Sequence, residues 1–480
     1  MRTSSTSGSS SRRQFVRRTA GAGTAALAAP HILGSATRAA AQTPSTTEGE
    51  IPQTPSSATV DGTLRVLLAD DFHPDHNAFM RSELEAYAEL NGWEIEITDV
   101  AGYIGGGDLF QKLLASVQSG DAPDLLLHTP SVRNFVTLGL VQPVDDLVAE
   151  AIEAYGDVIP GAVFSSTVDD VWYAVPFFTR AGGYYVRQDV FEENGIDIID
   201  GTEYYETMRE TALAISKPDE NMWGWGVTVN RSGDGNAVVQ NVLFRHGSHL
   251  QDESGEIVTF NSPETVEGLK WLAATYTEEQ WAPMLPPGVL AWTDTSNNEA
   301  FLAGQIAITQ NAGTMYAKAV LDQVPFADQI AFIPYPKRIS DDARLDFMSD
   351  GMRFYLITDA KNPEAASDVI RHFLTTPVQE RVWTISTGYA LPSYASGAES
   401  PIITENPNGA RGMEIALTDT GFYGLAWPGP VNEPIGSIGE GVFFTDMMSE
   451  IIQGRSAEEV AADYHDQFVQ IYQDFGYPGE

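Results

Sequence analysis

The 480-residue chain contains no cysteine. That absence excludes thiol catalysis, cysteine-ligated zinc, iron–sulfur chemistry, structural disulfides and a cysteine-borne lipid anchor. Stability has to come from burial, for which the chain is long enough. Positive charge is scarce as well: 27 Lys+Arg stand against 66 Asp+Glu, a formal net charge of −39. The first 41 residues hold six arginines and no acid, so the rest of the chain is more negative still. Such a surface repels nucleic acid and anionic lipid head groups, which excludes both as main partners. The acids are scattered rather than run together, a pattern suited to a solvated surface at high ionic strength, where screening suppresses self-repulsion.

What is present begins with Ser11-Arg12-Arg13-Gln14-Phe15-Val16, a twin-arginine motif. An Ala/Gly-rich stretch follows from Thr19 to about Leu33, too short and too Gly-rich to span a membrane. Ala39-Ala40-Ala41 then offers a small-residue cleavage site. Residues 1–41 are therefore expected to be a twin-arginine signal peptide, the plainer reading being a disordered basic tail. The destination is extracytoplasmic, in the periplasm or at the cell exterior, after folding inside the cell. Residues 42–60 are Thr/Ser/Pro-rich and read as a disordered linker.

Leu64–Ala69 is a short apolar run suited to a buried parallel strand, and Asn77–Asn91 carries Phe79, Leu84, Tyr87 and Leu90 near helical spacing before Gly92. Trp93–Ile97 alternates as a second strand, Asp108 is placed to cap a helix through Val117, and Asp124–Leu127 forms a third strand. This alternation predicts a parallel sheet covered by helices, with ligands at the carboxyl ends of the strands. Further strands are expected at Tyr184–Val186, Gly224–Val229, Gln305–Thr309 and Phe354–Ile357. Helices are expected at Thr265–Glu278, Glu364–Thr375 and Glu458–Phe475. So long an α/β pattern exceeds one core, and two lobes follow.

Several segments, in this order, resemble the family 1 extracellular solute-binding proteins, the maltose-binding-like receptors of ABC importers. They are Val171-Trp172-Tyr173-Ala174-Val175-Pro176-Phe177, then Tyr184 to Phe191 through Gly195-Ile196, then Phe260-Asn261-Ser262-Pro263-Glu264. Phe301-Leu302-Ala303-Gly304-Gln305-Ile306-Ala307-Ile308 and Phe373-Leu374 through Thr387-Gly388-Tyr389-Ala390-Leu391-Pro392 complete the set. The resemblance implies an α/β, two-lobed periplasmic-binding-protein fold with several hinge crossings. Lobe one would hold residues 61–180 and 349–399, and lobe two residues 181–348 and 400–480. It implies a receptor with no catalytic role and no cofactor. A mono- or oligosaccharide would be captured in the interlobe cleft by a monomer and delivered to the permease of an ABC importer. Two alternatives stay open: a receptor of the same fold for a polyol, glycerol phosphate, polyamine or metal complex, and an exported glycan-active enzyme. The latter needs a spaced carboxylate pair or a metal site, and no such constellation is legible.

Sugar hydroxyls both donate and accept, and sugar C–H faces are apolar, so a cleft needs Asp, Asn, Arg or His groups together with aromatic rings. Family position and strand-end logic point to Asp71, Phe72 and His73 after the first strand, against simple helix capping by Asp71 and Asp75. His128 and Thr129 follow the third strand. Arg180 reads as a ligand contact or a hinge salt bridge, and Asp350 lies in the Ser349-Asp350-Gly351 turn at a crossing. Asp234 is a cleft group or a surface-turn residue. Asn311 occupies the family's cleft position, but Ala312-Gly313-Thr314 replaces the continuation that usually brings a stacking ring. Trp427 and Trp292 are the candidate replacements, while Trp223 and Trp225 suit core packing. Gly182, Gly183 and Gly351 are read as hinge glycines that sample unusual backbone angles. His73-x-x-His76 and His246-x-x-His249 have metal-ligand spacing without a legible second shell, so no metal is assigned. Gly105-Gly106-Gly107-Asp108 lacks the Gly-Lys-Ser/Thr ending of a phosphate loop and reads as a flexible cleft loop.

Overall fold

The computed structural model describes residues 53–480 except 102–106, 131, 312, 345–347, 419–423 and 440, and the side chains of 107–108 and 348–350 are likewise outside it. The signal-like segment, the linker up to residue 52, most of the Gly105–Asp108 loop and the Asp350 side chain therefore lie outside the described residues.

The strands in chain order are β1 (Thr63–Asp70), β2 (Glu94–Ala101), β3 (Leu125–His128), β4 (Thr167–Val168), β5 (Val171–Trp172), β6 (Val175–Ala181), β7 (Tyr184–Arg187), β8 (Trp223–Trp225), β9 (Ile306–Gln310), β10 (Ile330–Ile333), β11 (Met348–Leu356) and β12 (Leu391–Pro392). Six form one sheet in the order β12-β6-β11-β3-β1-β2, and four form a second in the order β10-β7-β9-β8. β1, β2 and β3 pair in parallel, as their alternation with helices requires, while β11, β6 and β12 add antiparallel strands. The sheet is mixed rather than parallel throughout. β3 is buried at every position and reads as a continuous apolar run, whereas β2, at the edge, alternates exposed and half-buried residues. The Gly224–Val229 segment is a strand only through Trp225.

Helix Pro74–Asn91 starts where the His73 ring accepts the His76 N–H and stops at Gly92, whose φ of 68° is left-handed. Its buried face carries Met80, Leu84, Tyr87 and Ala88 against the first sheet. The helix after the glycine loop begins at Gly107, so Asp108 lies inside it rather than capping it.

Two large cores pack against the sheets. The first gathers Leu64, Val66, Phe177, Phe354, Val369 and Phe373, and the second Tyr184, Trp225, Val239, Leu269, Ile308 and Phe468. The first also takes in Tyr185, Ile306, Ile330 and Phe332 of the second sheet. The chain passes from the first sheet to the second between β6 and β7, and back between β10 and β11. After β12, helix Pro407–Ala416 puts Met413, Ile415 and Ala416 in the core that both sheets contribute to. The Asn408 side chain explains the placement. It accepts the Phe332 N–H (2.8 Å) and donates to the Ile330 carbonyl (3.0 Å), tying the helix start to β10 at the junction of the sheets.

The expectation for the end of the linker changes. From Gln53 to Val60 the presumed linker is docked. Gln53 donates to Glu83 (3.0 Å), the Ser56 N–H to Asn91 (2.6 Å), and the Ser56 hydroxyl to Asp368, while Trp93 Nε1 donates to the Ala58 carbonyl. The supposed hinge glycines also lack positive φ. They are glycine because of close approach: a Cβ on Gly183 would lie 2.3 Å from the Ile333 carbonyl, one on Gly351 2.2 Å from the Phe178 carbonyl, and one on Gly182 2.8 Å from the Tyr335 ring.

Candidate functional site

Between the two sheets a cleft cavity of about 100 Å³ is lined by Asp71, Phe72 and Arg180 on one side. On the other side stand Asp234, Asp294, Thr295, Asn298, Asn311 and Thr314. The first group comes from the turn after β1 and the end of β6. The second comes from the start of helix Gly233–His246, the start of helix Ser296–Leu302 and the turn after β9.

Arg180 Nη2 donates to Asp71 Oδ2 at 2.5 Å, and the Tyr389 hydroxyl donates to the same oxygen at 3.1 Å. The guanidinium also lies 5.4 Å from the centroids of the Phe178 and Tyr389 rings. Burial works to raise the Asp71 carboxyl. That is the largest single influence, but Arg180, His76, the Phe72 N–H and Tyr389 together outweigh it and hold the carboxyl below its usual range. Arg180 is thus both a salt-bridge partner and part of the cavity wall. Its Nε is buried without a protein partner.

Opposite, the Asp234 N–H donates to Asp294 Oδ1 (2.8 Å), and Asn297 donates to Asp234 Oδ2 (2.9 Å). Burial and then the Asp294 charge push the Asp234 carboxyl up to about 7. Near neutrality this group therefore both donates and accepts, as a hydroxyl-bearing ligand demands. Asp234 occupies the first turn of a fourteen-residue helix capped by Ser232, not a surface turn. Asn311 donates to Asn298 Oδ1 (2.6 Å) and accepts the Gly313 N–H (3.0 Å), which aligns the two amides along one wall.

Asp71, Phe72, Arg180, Asp234 and Asn311 are thus brought together; among the described residues the other candidates do not line the cavity. His73 caps its helix, with Nδ1 accepting the His76 N–H at 3.2 Å behind the cavity wall. His128 spends both ring nitrogens on structure: Nε2–H donates to the Ala101 carbonyl (2.8 Å) and Nδ1 accepts the Thr129 N–H (2.7 Å). Burial lowers the His128 ring to about 4. Thr129 sits beside it, outside the lining. Trp292 is half-buried against the first core, its carbonyl accepting from Asn230 (2.9 Å). The Trp427 ring is edge-on to His249 (4.7 Å) and lies 4.8 Å from the Arg338 guanidinium, so the second core claims it instead of the cleft. Trp225 is fully buried and donates to Tyr276, as core packing requires. Neither HxxH pair forms a site: among the described residues no group of three His, Asp or Glu is placed to hold a metal ion.

Asp294, Thr295, Asn298, Thr314 and the Tyr389 hydroxyl were missed by sequence reasoning. The polar run Thr293-Asp294-Thr295-Ser296-Asn297-Asn298, unusual just before a buried helix and strand, was the available signal. Among the described residues no helix is long and apolar enough to cross a membrane.

Comparison with known proteins places this geometry. Curated relatives include the mannitol-binding protein of Pseudomonas aeruginosa, 24% identical over 206 residues that make up 42% of this chain and 45% of that protein. Another is a probable ABC transporter-binding protein of Deinococcus radiodurans, 23% identical over 225 residues, 46% of this chain and 52% of that one. The chain spans about half the length of the curated relatives it matches. Among solved structures, the maltose-bound MalE3 of T. maritima superposes with a TM-score of 0.69 at 18% identity, covering 85% of this chain and 99% of that one. An ABC transporter solute-binding protein of Agrobacterium vitis with bound D-mannitol gives 0.69 at 16% identity, covering 87% and 100%. These likenesses establish the two-lobed fold. The family described as bacterial extracellular solute-binding protein matches residues 84–411, more than half of the sequence. The chain belongs to that family of bacterial extracellular solute-binding proteins.

Proposed function

We propose that this protein captures a small neutral polyhydroxy solute, a polyol or a single sugar ring, in the interlobe cleft and hands it to an ABC importer without chemical change. The observation that carries this reading is the facing of Asp71–Arg180 by Asp234, Asp294, Asn298 and Asn311 around one small cavity. Arg180 donates, the amides do both, and Asp234 near its midpoint does both, which matches hydroxyls that each require a donor and an acceptor. At about 100 Å³ the cavity is well below the roughly 300–1,000 Å³ of drug-sized sites, which favours a small solute over an oligosaccharide. A ligand that touches both walls favours the closed arrangement by its differential affinity, and closure is the signal a permease reads. The names of the relatives that bind mannitol or maltose support the same solute class. The twin-arginine motif supports export in folded form, and the acidic surface supports a free extracytoplasmic receptor.

The Asp234–Asp294 pair favours one competitor, an amine. An amine would bind ionised Asp234, so its affinity would rise as pH climbs through about 7, whereas a neutral polyol makes no such demand. Calorimetric titration with D-mannitol, ribitol, D-glucose, maltose and spermidine tests this. We expect a polyol or monosaccharide to bind without turnover, and Asp234→Ala to weaken it by about tenfold or more through a lost buried hydrogen bond. Binding of spermidine alone, or hydrolysis of a glycan, would sink the proposal.

A further inference from the structure

We infer that Tyr389 is a positioning residue of the interlobe cleft: its hydroxyl fixes Asp71 on one wall, while its α- and β-carbons pack on the turn that carries Asn311 on the other. The inference rests on the reading of the cleft as the solute site.

Tyr389 does not line the cavity and is 2% exposed, so it acts only through its neighbours. The chain reaches it through two successive left-handed residues, Thr387 (φ 51°) and Gly388 (φ 90°), which end helix Thr376–Ser386 just before β12. Four side chains then enclose the ring. His76 and Phe178 meet it edge-on at 6.0 and 6.1 Å between centroids, His73 stacks at 6.4 Å, and the Arg180 guanidinium lies 5.4 Å away. The hydroxyl donates to Asp71 Oδ2, the oxygen that also accepts from Arg180 Nη2, and Asp71 Oδ1 accepts the Phe72 N–H (2.7 Å). Donors from β6, from the segment before β12 and from Phe72 thus hold both carboxylate oxygens. A phenylalanine would fill the same space; the hydroxyl is what acts on Asp71.

The opposite wall meets the same residue. Gly313 follows β9 with a left-handed φ of 101°, and a Cβ there would fall 2.5 Å from Tyr389 Cβ and 2.8 Å from the Tyr185 hydroxyl. Only glycine lets the turn lie this close. The Gly313 N–H donates to Asn311 Oδ1 (3.0 Å), and Asn311 donates to Asn298 Oδ1 (2.6 Å). The seat of Gly313 on Tyr389 therefore sets where both amides stand relative to Asp71.

Loss of the hydroxyl has a charge signature. A donor to an ionised carboxyl favours the charged form, so Tyr389→Phe lets Asp71 protonate at higher pH, and a protonated Asp71 gives up its ion pair with Arg180. The other groups around Asp71 stay in place. They are Arg180 from β6, His76 and His73 at the start of helix Pro74–Asn91, Asp75 and Lys318 beside His73, and Asp234 and Asp294 across the cavity. Titration of Asp234 at about 7 and of His76 at about 4 is common to both proteins, so the ratio of their affinities isolates Asp71.

The test is calorimetric titration of the full chain and of Tyr389→Phe with D-mannitol and D-glucose, from about pH 7.5 to about pH 4.5. The variant should bind the responsive probe about fivefold more weakly at the upper end, and the ratio should widen as pH falls because its Asp71 protonates first. A tyrosine that only packs gives a ratio flat with pH. A solute-free measurement stands beside this one: thermal unfolding of Tyr389→Phe, Asp71→Asn and the double variant closes a cycle. The loss of melting temperature from Tyr389→Phe should shrink by about half or more in the Asp71→Asn background. A flat ratio, or equal losses in both backgrounds, overturns the inference. If neither probe binds the unaltered chain, the cleft reading fails and the cycle alone decides whether Tyr389 positions Asp71.

Discussion

At the scale of single residues, acid stability is governed by titratable groups removed from water. Two histidines and one carboxyl set opposing pH dependences. His76 and His128 are each lowered by burial to about 4 from 6.5, so the native state holds fewer protons than the unfolded chain between those values, and stability falls as pH drops through that window. Asp234 is raised from 3.8 to about 7, so the native state holds the extra proton, and its contribution grows as pH falls from 7 toward 3.8. Two against one, the net effect between pH 6.5 and 4 is a loss. Thermal unfolding across this range should show that acid limb, and Asp234→Asn should steepen it by deleting the opposing gain. The same variant should abolish any rise in melting temperature between pH 8 and 6.5. An unchanged profile in Asp234→Asn would mean that the carboxyl is not buried beside Asp294.

At the scale of elements, the crossings between sheets depend on how closely strands approach one another. Gly183 and Gly351 have ordinary backbone angles but leave no room for a methyl group against the carbonyls of Ile333 and Phe178. Backbone cannot step aside as a flexible side chain can. Gly351→Ala should therefore cost about 1–3 kcal/mol or more, by the usual penalty of overpacking, read as a lower denaturation midpoint at unchanged m-value. Gly195→Ala makes the contrast. There a Cβ meets nothing within 4 Å, and the cost arises only from its φ of 67°. Equal losses in the two variants would show that close approach is not the reason for glycine at 351. Glycine was legible at these positions in the sequence, but its reason was not, because strain and crowding leave the same letter.

At the scale of the molecule, charge and closure separate. A formal net charge of −39 destabilises the compact state by self-repulsion, and salt relieves it as the Debye length shrinks from about 10 Å at 0.1 M to about 3 Å at 1 M. The melting temperature should rise with sodium chloride over that range. The affinity for a neutral cleft ligand should change less than about twofold, since no net charge is transferred into the cleft. Small-angle scattering with saturating ligand should show a smaller radius of gyration if both walls engage it. An affinity that collapses in salt would assign the cleft to an ion instead.

The α/β alternation, the two-lobed fold through the order of its motifs, and five residues that line the cavity, Asp71, Phe72, Arg180, Asp234 and Asn311, were legible in the sequence. These were readable because strand ends and helix starts are local features, set by apolar periodicity, caps and glycine stops. Which rings and histidines line the cavity was set by packing between distant elements. Trp427 sits in a loop and His128 at a strand end of the right kind, yet one packs on His249 and the other spends both nitrogens on backbone groups. Asp294, Asn298 and Tyr389 arrive from segments far apart in the chain, Tyr389 reaching Asp71 across 318 residues. Local pattern says that a group is polar and near a turn. Which partner satisfies it depends on packing between distant elements, and that packing turned a tryptophan into core and a tyrosine hydroxyl into a second donor to Asp71.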